Sequence, residues 1–227
     1  MRSKTYQAIK EKAPTEAVDI DTAVTFLQEH ARQKFHETVE VHVRLGIDPS
    51  RSDQTVRGTV LLPAGAVKQP RITVIAQLAD ERTKAQQAGA TVVGGEELIE
   101  AIVTSGTLDA DVVIATPAMM SKIAKVAKIL GPKGLMPNPK TDTVAANPAE
   151  AVKQLLSGKV SFKMDQLGNV HIPVAKLSWD KAKIVANSKA VLEGITSARP
   201  AAARGQLIKS VTIKSTMSPA VRVAYSA

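Results

Sequence analysis

Cysteine is absent from the 227 residues, so no disulfide framework staples the fold and no thiolate can hold a metal. A cysteine-free chain suits a reducing cytosol. Four scattered histidines are a poor metal set. Aromatic residues make up only 3%, which leaves few platforms for stacking unpaired bases and turns any nucleic-acid reading toward folded shape. No apolar run reaches the roughly 20 residues that a membrane-spanning helix needs. Met1, Arg2, Ser3 and Lys4 lead into a mixed-polarity helix, not an apolar signal segment, and give no reason to expect secretion. Neither a Gly-x-Ser-x-Gly elbow nor a His-Glu-x-x-His pair occurs, so nothing places a catalytic nucleophile or metal.

Negative charge is also scarce, but only in one place. Residues 1–65 hold 9 Lys/Arg and 9 Asp/Glu, residues 66–157 hold 10 and 9, and residues 158–227 hold 11 and 3. Nearly all of the formal +9 therefore lies in the last third. A segment this lopsided points to a polyanionic partner, because cations placed against phosphates release condensed counterions. No basic amphipathic helix with bulky apolar anchors supports a membrane surface instead. With 44% hydrophobic and 22% charged residues the chain has the composition of a globular protein.

Periodicity sorts the chain into three stretches. Val39, Val41, Val43 and Leu45 alternate with Glu40, His42 and Arg44, the period of a strand with one buried face. A turn-rich excursion over residues 47–55 precedes a second strand, Val56 to Leu62. Asp19 and Asp21 are placed to cap a helix that carries Ala23, Val24, Phe26, Leu27 and Ala31 inward. In the middle, apolar strands at Ile72 to Ala76, Thr91 to Val93 and Val112 to Ala115 alternate with helices over Asp80 to Ala88, around Leu98 to Ile102, and from Pro117. That alternation predicts a small parallel sheet covered by helices. Beyond residue 157, Val160 to Met164 and Asn169 to Val174 flank the turn Asp165 to Gly168 and predict a hairpin. A helix capped by Ser178 and carrying Ala182, Ile184, Val185 and Leu192 follows, then closing strands at Leu207 to Lys214 and Ala220 to Ala224.

The fold class is thus mixed, α/β with α+β. A terminal α+β domain of split β-α-β type, built from residues 1–65 and 158–227, carries an inserted three-layer, Rossmann-like α/β domain over residues 66–157. Pro63, Gly65, Ser157 and Gly158 are the crossing points, and a double linker there predicts a hinge.

Two motifs invite a nucleotide reading. The segment Gly131 to Lys140 (GPKGLMPNPK) puts Lys133 and Lys140 beside glycine amides that could hold phosphate. Its three prolines and two glycines exclude helix and central strand, and it ends a helix where a P-loop would open one. Gly89, Gly94 and Gly95 do not lie between the first strand and first helix of the middle stretch, where a dinucleotide fingerprint belongs. The carboxylate pairs Asp109/Asp111 and Glu96/Glu97 border predicted elements and serve as caps or dipole partners. His171 read alone is an ordinary strand histidine. Lys209, Ser210, Lys214, Ser215, Thr216, Met217, Ser218 and Pro219 form a cluster, cations and hydroxyls on a strand and the loop after it, suited to the phosphates and 2′-hydroxyls of A-form RNA.

Three segments, VEVHVRLGIDPSRSDQTVRGTVLLP (39–63), LGPKGLMPNPKTDTV (130–144) and KSVTIKSTMSPAVRV (209–223), together with GKVSFKMDQLGNVHIPVAKLSW (158–179), resemble the bacterial large-subunit ribosomal protein L-one family, nearly end to end. The resemblance implies a non-enzymatic, cytoplasmic, ribosome-bound protein without cofactor, metal, membrane or small-molecule substrate, monomeric when free of RNA. Its implied partners are large-subunit rRNA of the mobile stalk, exit-site tRNA whose release the stalk assists, and the protein's own messenger RNA, whose translation it would repress. Carried over by motif position, the RNA-binding residues are Lys34, Phe35, Glu40, Lys163, Asp165, His171, Ser210, Thr216 and Met217. Lys34 and Lys163 would meet phosphate, and Ser210 and Thr216 would donate to 2′-hydroxyl or backbone oxygens. Phe35 and Met217 would pack on sugar or base surfaces, and Glu40 and Asp165 would accept from 2′-hydroxyls or hold cations in place. The chain departs from the family in two places. Pro63 is followed by Ala64, Gly65, Ala66, Val67 and Lys68 and not by the usual His-Gly-Thr-Gly-Lys, and Ser218 replaces a glycine, which requires a φ that serine accepts.

Overall fold

A computed structural model describes residues 4–31, 35–203 and 205–225. The chain divides into two compact units, one formed by Met1–Val67 with Val160–Ala227 and the other by Lys68–Lys159.

In the unit made of both chain ends, α1 (Lys4–Lys12) and α2 (Ile20–Glu29) precede β1 (Thr38–Leu45) and β2 (Arg57–Leu61). The middle unit contributes β3 (Ile72–Ile75), α3 (Ala79–Gln87), β4 (Val92–Gly94), α4 (Glu96–Ser105), β5 (Val112–Ala115), α5 (Met120–Ile123), α6 (Ala127–Leu130) and α7 (Pro148–Leu156). The chain then returns through β6 (Lys159–Lys163), β7 (Asn169–Lys176), α8 (Lys181–Ser197), β8 (Ile208–Ser215) and β9 (Val221–Val223).

The terminal unit is built on a four-stranded antiparallel sheet in the order β7-β1-β8-β9. Its inner face is a row of β-branched residues: Val39, Val41 and Val43 from β1, Val170, Ile172 and Val174 from β7, Val211 and Ile213 from β8. Ala23, Val24, Phe26 and Leu27 of α2 and Ile184, Val185, Val191, Leu192 and Ile195 of α8 complete that core. The sheet therefore has one sealed face and one open face, the arrangement antiparallel sheets allow.

The strands and caps differ from the sequence pattern at several points. β6 and β7 do not form a ladder: β6 pairs with β2 in a separate two-stranded sheet, while β7 pairs with β1. The turn itself is tight, with the Asp165 amide donating to the Asn169 carbonyl at 2.8 Å and the Gly168 amide to the Asp165 carbonyl at 3.3 Å. The strands part beyond it because Phe162 and Met164 are buried in the core beside Val60 and Val56, and the Met164 amide bonds the Val56 carbonyl at 2.9 Å. Ser178 caps nothing. It lies in the turn before Asp180, which holds the N-cap position of α8 without a side-chain cap bond. Ala182 is exposed, as is Ala31, which lies beyond the end of α2. Asp19 occupies the N-cap position of α2 but likewise makes no side-chain cap.

In the middle unit a three-stranded parallel sheet, β4-β3-β5, is covered on both faces. Ile72, Val74 and Ile114 face Ala85 of α3 and Ala151, Val152 and Leu155 of α7. Ile75, Val113 and Ala115 face Ile99 and Ile102 of α4 and Met119, Ile123, Val126 and Leu130. These are the three layers of the α/β fold. The helix expected from Pro117 is not continuous: 3-10 turns at Pro117–Met119 and Ala124–Val126 alternate with α5 and α6. Proline at the first position accounts for the tight first turn, and nothing in the packing explains the second.

At the segments expected to link the units, Gly65 has φ +90 and Gly158 φ +115, conformations that glycine adopts without penalty. The Ala64 amide donates to Oδ1 of the fully buried Asn187 at 2.9 Å, whose Nδ2 donates to the Val174 carbonyl at 2.7 Å. Asn187 thereby ties the chain after Pro63 to α8 and β7, and a buried amide so paired meets the requirement that polar groups in a core be satisfied.

Candidate nucleic-acid interface

Strand alternation decides which side chains can meet. With Val39, Val41, Val43 and Leu45 sealed in the core, Thr38, Glu40, His42 and Arg44 must point to the open face. Register then chooses their neighbours, because residues opposite one another in antiparallel strands share a face. Glu40 lies between Pro173 and Lys214, His42 between His171 and Thr212, and Arg44 between Asn169 and Ser210. Thr212 in turn faces Arg222 on β9.

Side-chain contacts join these rows. Lys214 Nζ is 3.6 Å and His42 Nε2 3.3 Å from Glu40 Oε2, the latter an ion-pair separation off the hydrogen-bond line. His42 and His171 meet edge to face, with centroids 4.7 Å apart and Nδ1 against Nδ1. His171 Nε2 is 3.4 Å from Asp165 Oδ2. The result is a chain of carboxylate, imidazole, imidazole and carboxylate across the middle of the face. Asp165 is held by the amides of Asn169 at 2.7 Å and Leu167 at 2.8 Å and by Asn169 Nδ2 at 3.2 Å. The Asn169 amide leads in stabilising its charged form, and its pKa is pulled down to about 2.

Two imidazole nitrogens in contact can share one proton but not carry two. Burial, then the neighbouring His171 and Lys214, lower the pKa of His42 below its ordinary 6.5 despite the opposing pull of Glu40. The unfolded chain consequently binds more protons than the folded one near and below that value, so this residue's effect on stability is absent above 6.5 and destabilising as pH falls through it. The His42 ring proton followed by NMR should titrate below 6.5, and His42→Asn should flatten the fall in stability on mild acidification. A midpoint at or above the ordinary value would contradict the geometry.

One end of the face is organised by a residue that no sequence pattern singles out. Glu37 is buried, 2% exposed, and its Oε2 accepts from Ser215 Oγ and, at 3.2 Å, from the Met217 amide. Thr216 Oγ1 accepts from the Thr38 amide at 3.1 Å. Ser218 Oγ accepts from the Ser215 amide at 2.8 Å, and Ser218 does not have the positive φ that would demand glycine. Serine thus closes the loop with its own side chain. Phe35, two residues before Glu37, is 46% exposed, and Met217 is 41% exposed, so two apolar side chains stand open near one carboxylate. From there to Ser210 the face extends roughly 20 Å along β8.

Of the residues selected from the sequence, Glu40, His171 and Ser210 lie on this face and Asp165 joins it through His171. Thr216, Met217 and Phe35 lie at its Glu37 end. Lys163 is exposed on β6, outside the four-stranded sheet and two residues ahead of Asp165. Lys34 lies outside the described residues. Sequence reasoning passed over Glu37, His42, Arg44, Thr212 and Arg222 as site residues. For His42 and Arg44 the signal was present, since the alternation that buried the valines of β1 also turned these outward. Among the described residues no helix is long and apolar enough to cross a membrane.

A model of the Ribosomal protein L1p/L10e family matches residues 27–219. The chain belongs to this family. It is 43% identical over 220 residues to a protein of Solibacter usitatus (strain Ellin6076) named large ribosomal subunit protein uL1, covering 97% of this chain and 92% of that protein. It is 47% identical over 197 residues to a protein of the same name from Persephonella marina (strain DSM 14350 / EX-H1), covering 87% and 81%. As an L1-family member it is a structural ribosomal protein and not an enzyme. The L1 match spans both units and every segment of the open sheet face up to Pro219.

Proposed function

We propose that this protein is a large-subunit component whose open sheet face binds folded rRNA of the mobile stalk, and that its position there assists release of deacylated tRNA from the exit site. The observation that carries the reading is the convergence on one open face of cations, hydroxyls and carboxylates from three strands distant in sequence, bordered by exposed Phe35 and Met217. Arg44, Lys214 and Arg222, with Lys34 and Lys163, meet phosphates. Ser210, Thr212 and Thr216 donate to ribose and backbone oxygens, Glu40 and Asp165 orient the histidines and Lys214 or accept from 2′-hydroxyls, and Phe35 and Met217 pack on sugar or base surfaces. Pro63, Gly65, Ser157 and Gly158 serve as the hinge between an RNA-binding terminal domain (1–65 and 158–227) and the inserted α/β domain (66–157). The protein's own messenger RNA, folded like the rRNA site, competes for the same face, and that competition represses translation. Free of RNA the protein is a monomer.

Titration of the whole protein with a stalk rRNA fragment over a salt series tests the reading. Binding should weaken with a log-log slope of about −3 to −5, as expected for several phosphate contacts, and the protein's leader messenger should displace the rRNA mole for mole. Salt-independent binding, or a leader that does not compete, would remove the rRNA or the repressor assignment respectively.

A further inference from the structure

The imidazole pair at the middle of the sheet face is short of one proton. Its four ring nitrogens make three junctions: His42 Nε2 lies 3.3 Å from Glu40 Oε2, the two Nδ1 atoms face each other, and His171 Nε2 lies 3.4 Å from Asp165 Oδ2. A proton suits each junction, whereas two neutral imidazoles carry only two between them. One junction is therefore left open, with two lone pairs facing each other or a bare nitrogen facing a carboxylate. His42 Nε2 is buried without a hydrogen-bond partner, the kind of unmet polar group that calls for a functional reason.

Cations on the same face keep the missing proton away while the face is free. Lys214 Nζ is 3.6 Å from the same Glu40 oxygen, Arg44 is the next outward residue of β1 after His42, and Arg222 lies opposite Thr212, itself opposite His42. Burial, His171 and Lys214 together outweigh Glu40 and hold His42 below its ordinary pKa. On the sheet's other side, α2 and α8 bury no titratable side chain against it, so the charges that govern the pair all stand on the open face. The His171 ring is exposed there, within reach of a ligand. A phosphate that pairs with Lys214, Arg44 or Arg222 removes their repulsion and adds its own negative potential, and both changes favour a charged imidazole.

We propose that RNA binding at the sheet face is coupled to uptake of one proton from solvent, shared between His42 and His171, so that the face holds RNA more tightly as pH falls through the neutral range. This coupling rests on the RNA-binding reading above and adds a regulation to it. Its sign follows from proton balance. A group whose pKa is higher in the complex than in the free protein gains a proton on association, so affinity rises as pH drops below the value in the complex and levels off once the free protein is protonated as well. The uptake stops at one proton, because two ring nitrogens in contact cannot both carry one.

Calorimetric titration of the whole protein with the stalk rRNA fragment, repeated in buffers of different ionisation enthalpy near neutral pH, counts the protons directly. The parent should take up about 0.5–1 proton per complex, and its affinity should rise about threefold or more from about pH 8 to about pH 6. The double variant His42→Gln/His171→Gln should lose both the uptake and the pH dependence, whatever affinity it retains. His36→Gln, which removes an exposed histidine outside the pair, should keep both. Intact binding by the parent with a buffer-independent enthalpy would overturn the coupling and leave the RNA-binding reading standing. Uptake that persists in the double variant, or that disappears with His36→Gln, would overturn it equally. A parent that does not bind the fragment at any pH would remove the RNA-binding reading and the coupling with it.

Discussion

Thr216→Val and Met217→Ala should each weaken binding to stalk rRNA by about tenfold or more, the scale of losing one well-placed contact in an interface, while barely changing stability. Valine keeps the shape of Thr216 but removes the hydroxyl that accepts the Thr38 amide at 3.1 Å and reaches the Thr38 carbonyl at 3.4 Å. Both contacts are exposed, so water takes the hydroxyl's place and the folding cost stays near or below about 1 kcal/mol. RNA binding should be less forgiving, because on the proposed reading the same hydroxyl both fixes the strand end and, by giving up its long contact to the Thr38 carbonyl, donates to ribose. Met217 is half exposed, so its removal leaves no core cavity and any loss must come from the partner's side. Calorimetric titration with the rRNA fragment beside urea unfolding separates the two effects. Equal affinity in both variants, with folding intact, would take this end of the sheet out of the interface.

The sheet's inner row was legible because burial imposes a period of two, and the valines of β1 obey it without exception. The same rule showed which residues turn outward, so half of the open face could be read before any partner strand was known. Partner strands are the part that one sequence conceals. β1 lies between β7 and β8, and no local signal states that His42 faces His171 across more than a hundred residues. The misread hairpin has the same origin: Asp165 to Gly168 has true turn chemistry, but a turn fixes only four residues, and the burial of Phe162 and Met164 beside β2 decides where β6 pairs. In the α/β unit the alternation of apolar strands and helices implied crossover connections, and covering helices on both faces follow from the two-sided burial of Ile72, Val74 and Ile75.

Glu37 was the least legible residue of all, since one glutamate ahead of a strand looks like any other surface charge. Its burial predicts the largest single effect on stability. Glu37→Ala would leave Ser215 Oγ and the Met217 amide without their acceptor in a site where Ser215 is 1% exposed, at a cost of about 2–4 kcal/mol for unsatisfied buried donors and an unfilled cavity. Glu37→Gln keeps one acceptor oxygen and the volume, so about 1–2 kcal/mol is expected. Because the carboxylate fixes the backbone of the Thr216–Met217 turn, both variants should also lose rRNA affinity where they remain folded, in the same order. Urea denaturation measures the first effect and titration at low temperature the second. An alanine variant as stable as the parent would mean that the turn is held by Ser218 and Thr38 alone, and the buried carboxylate would lose its role as the anchor of the interface.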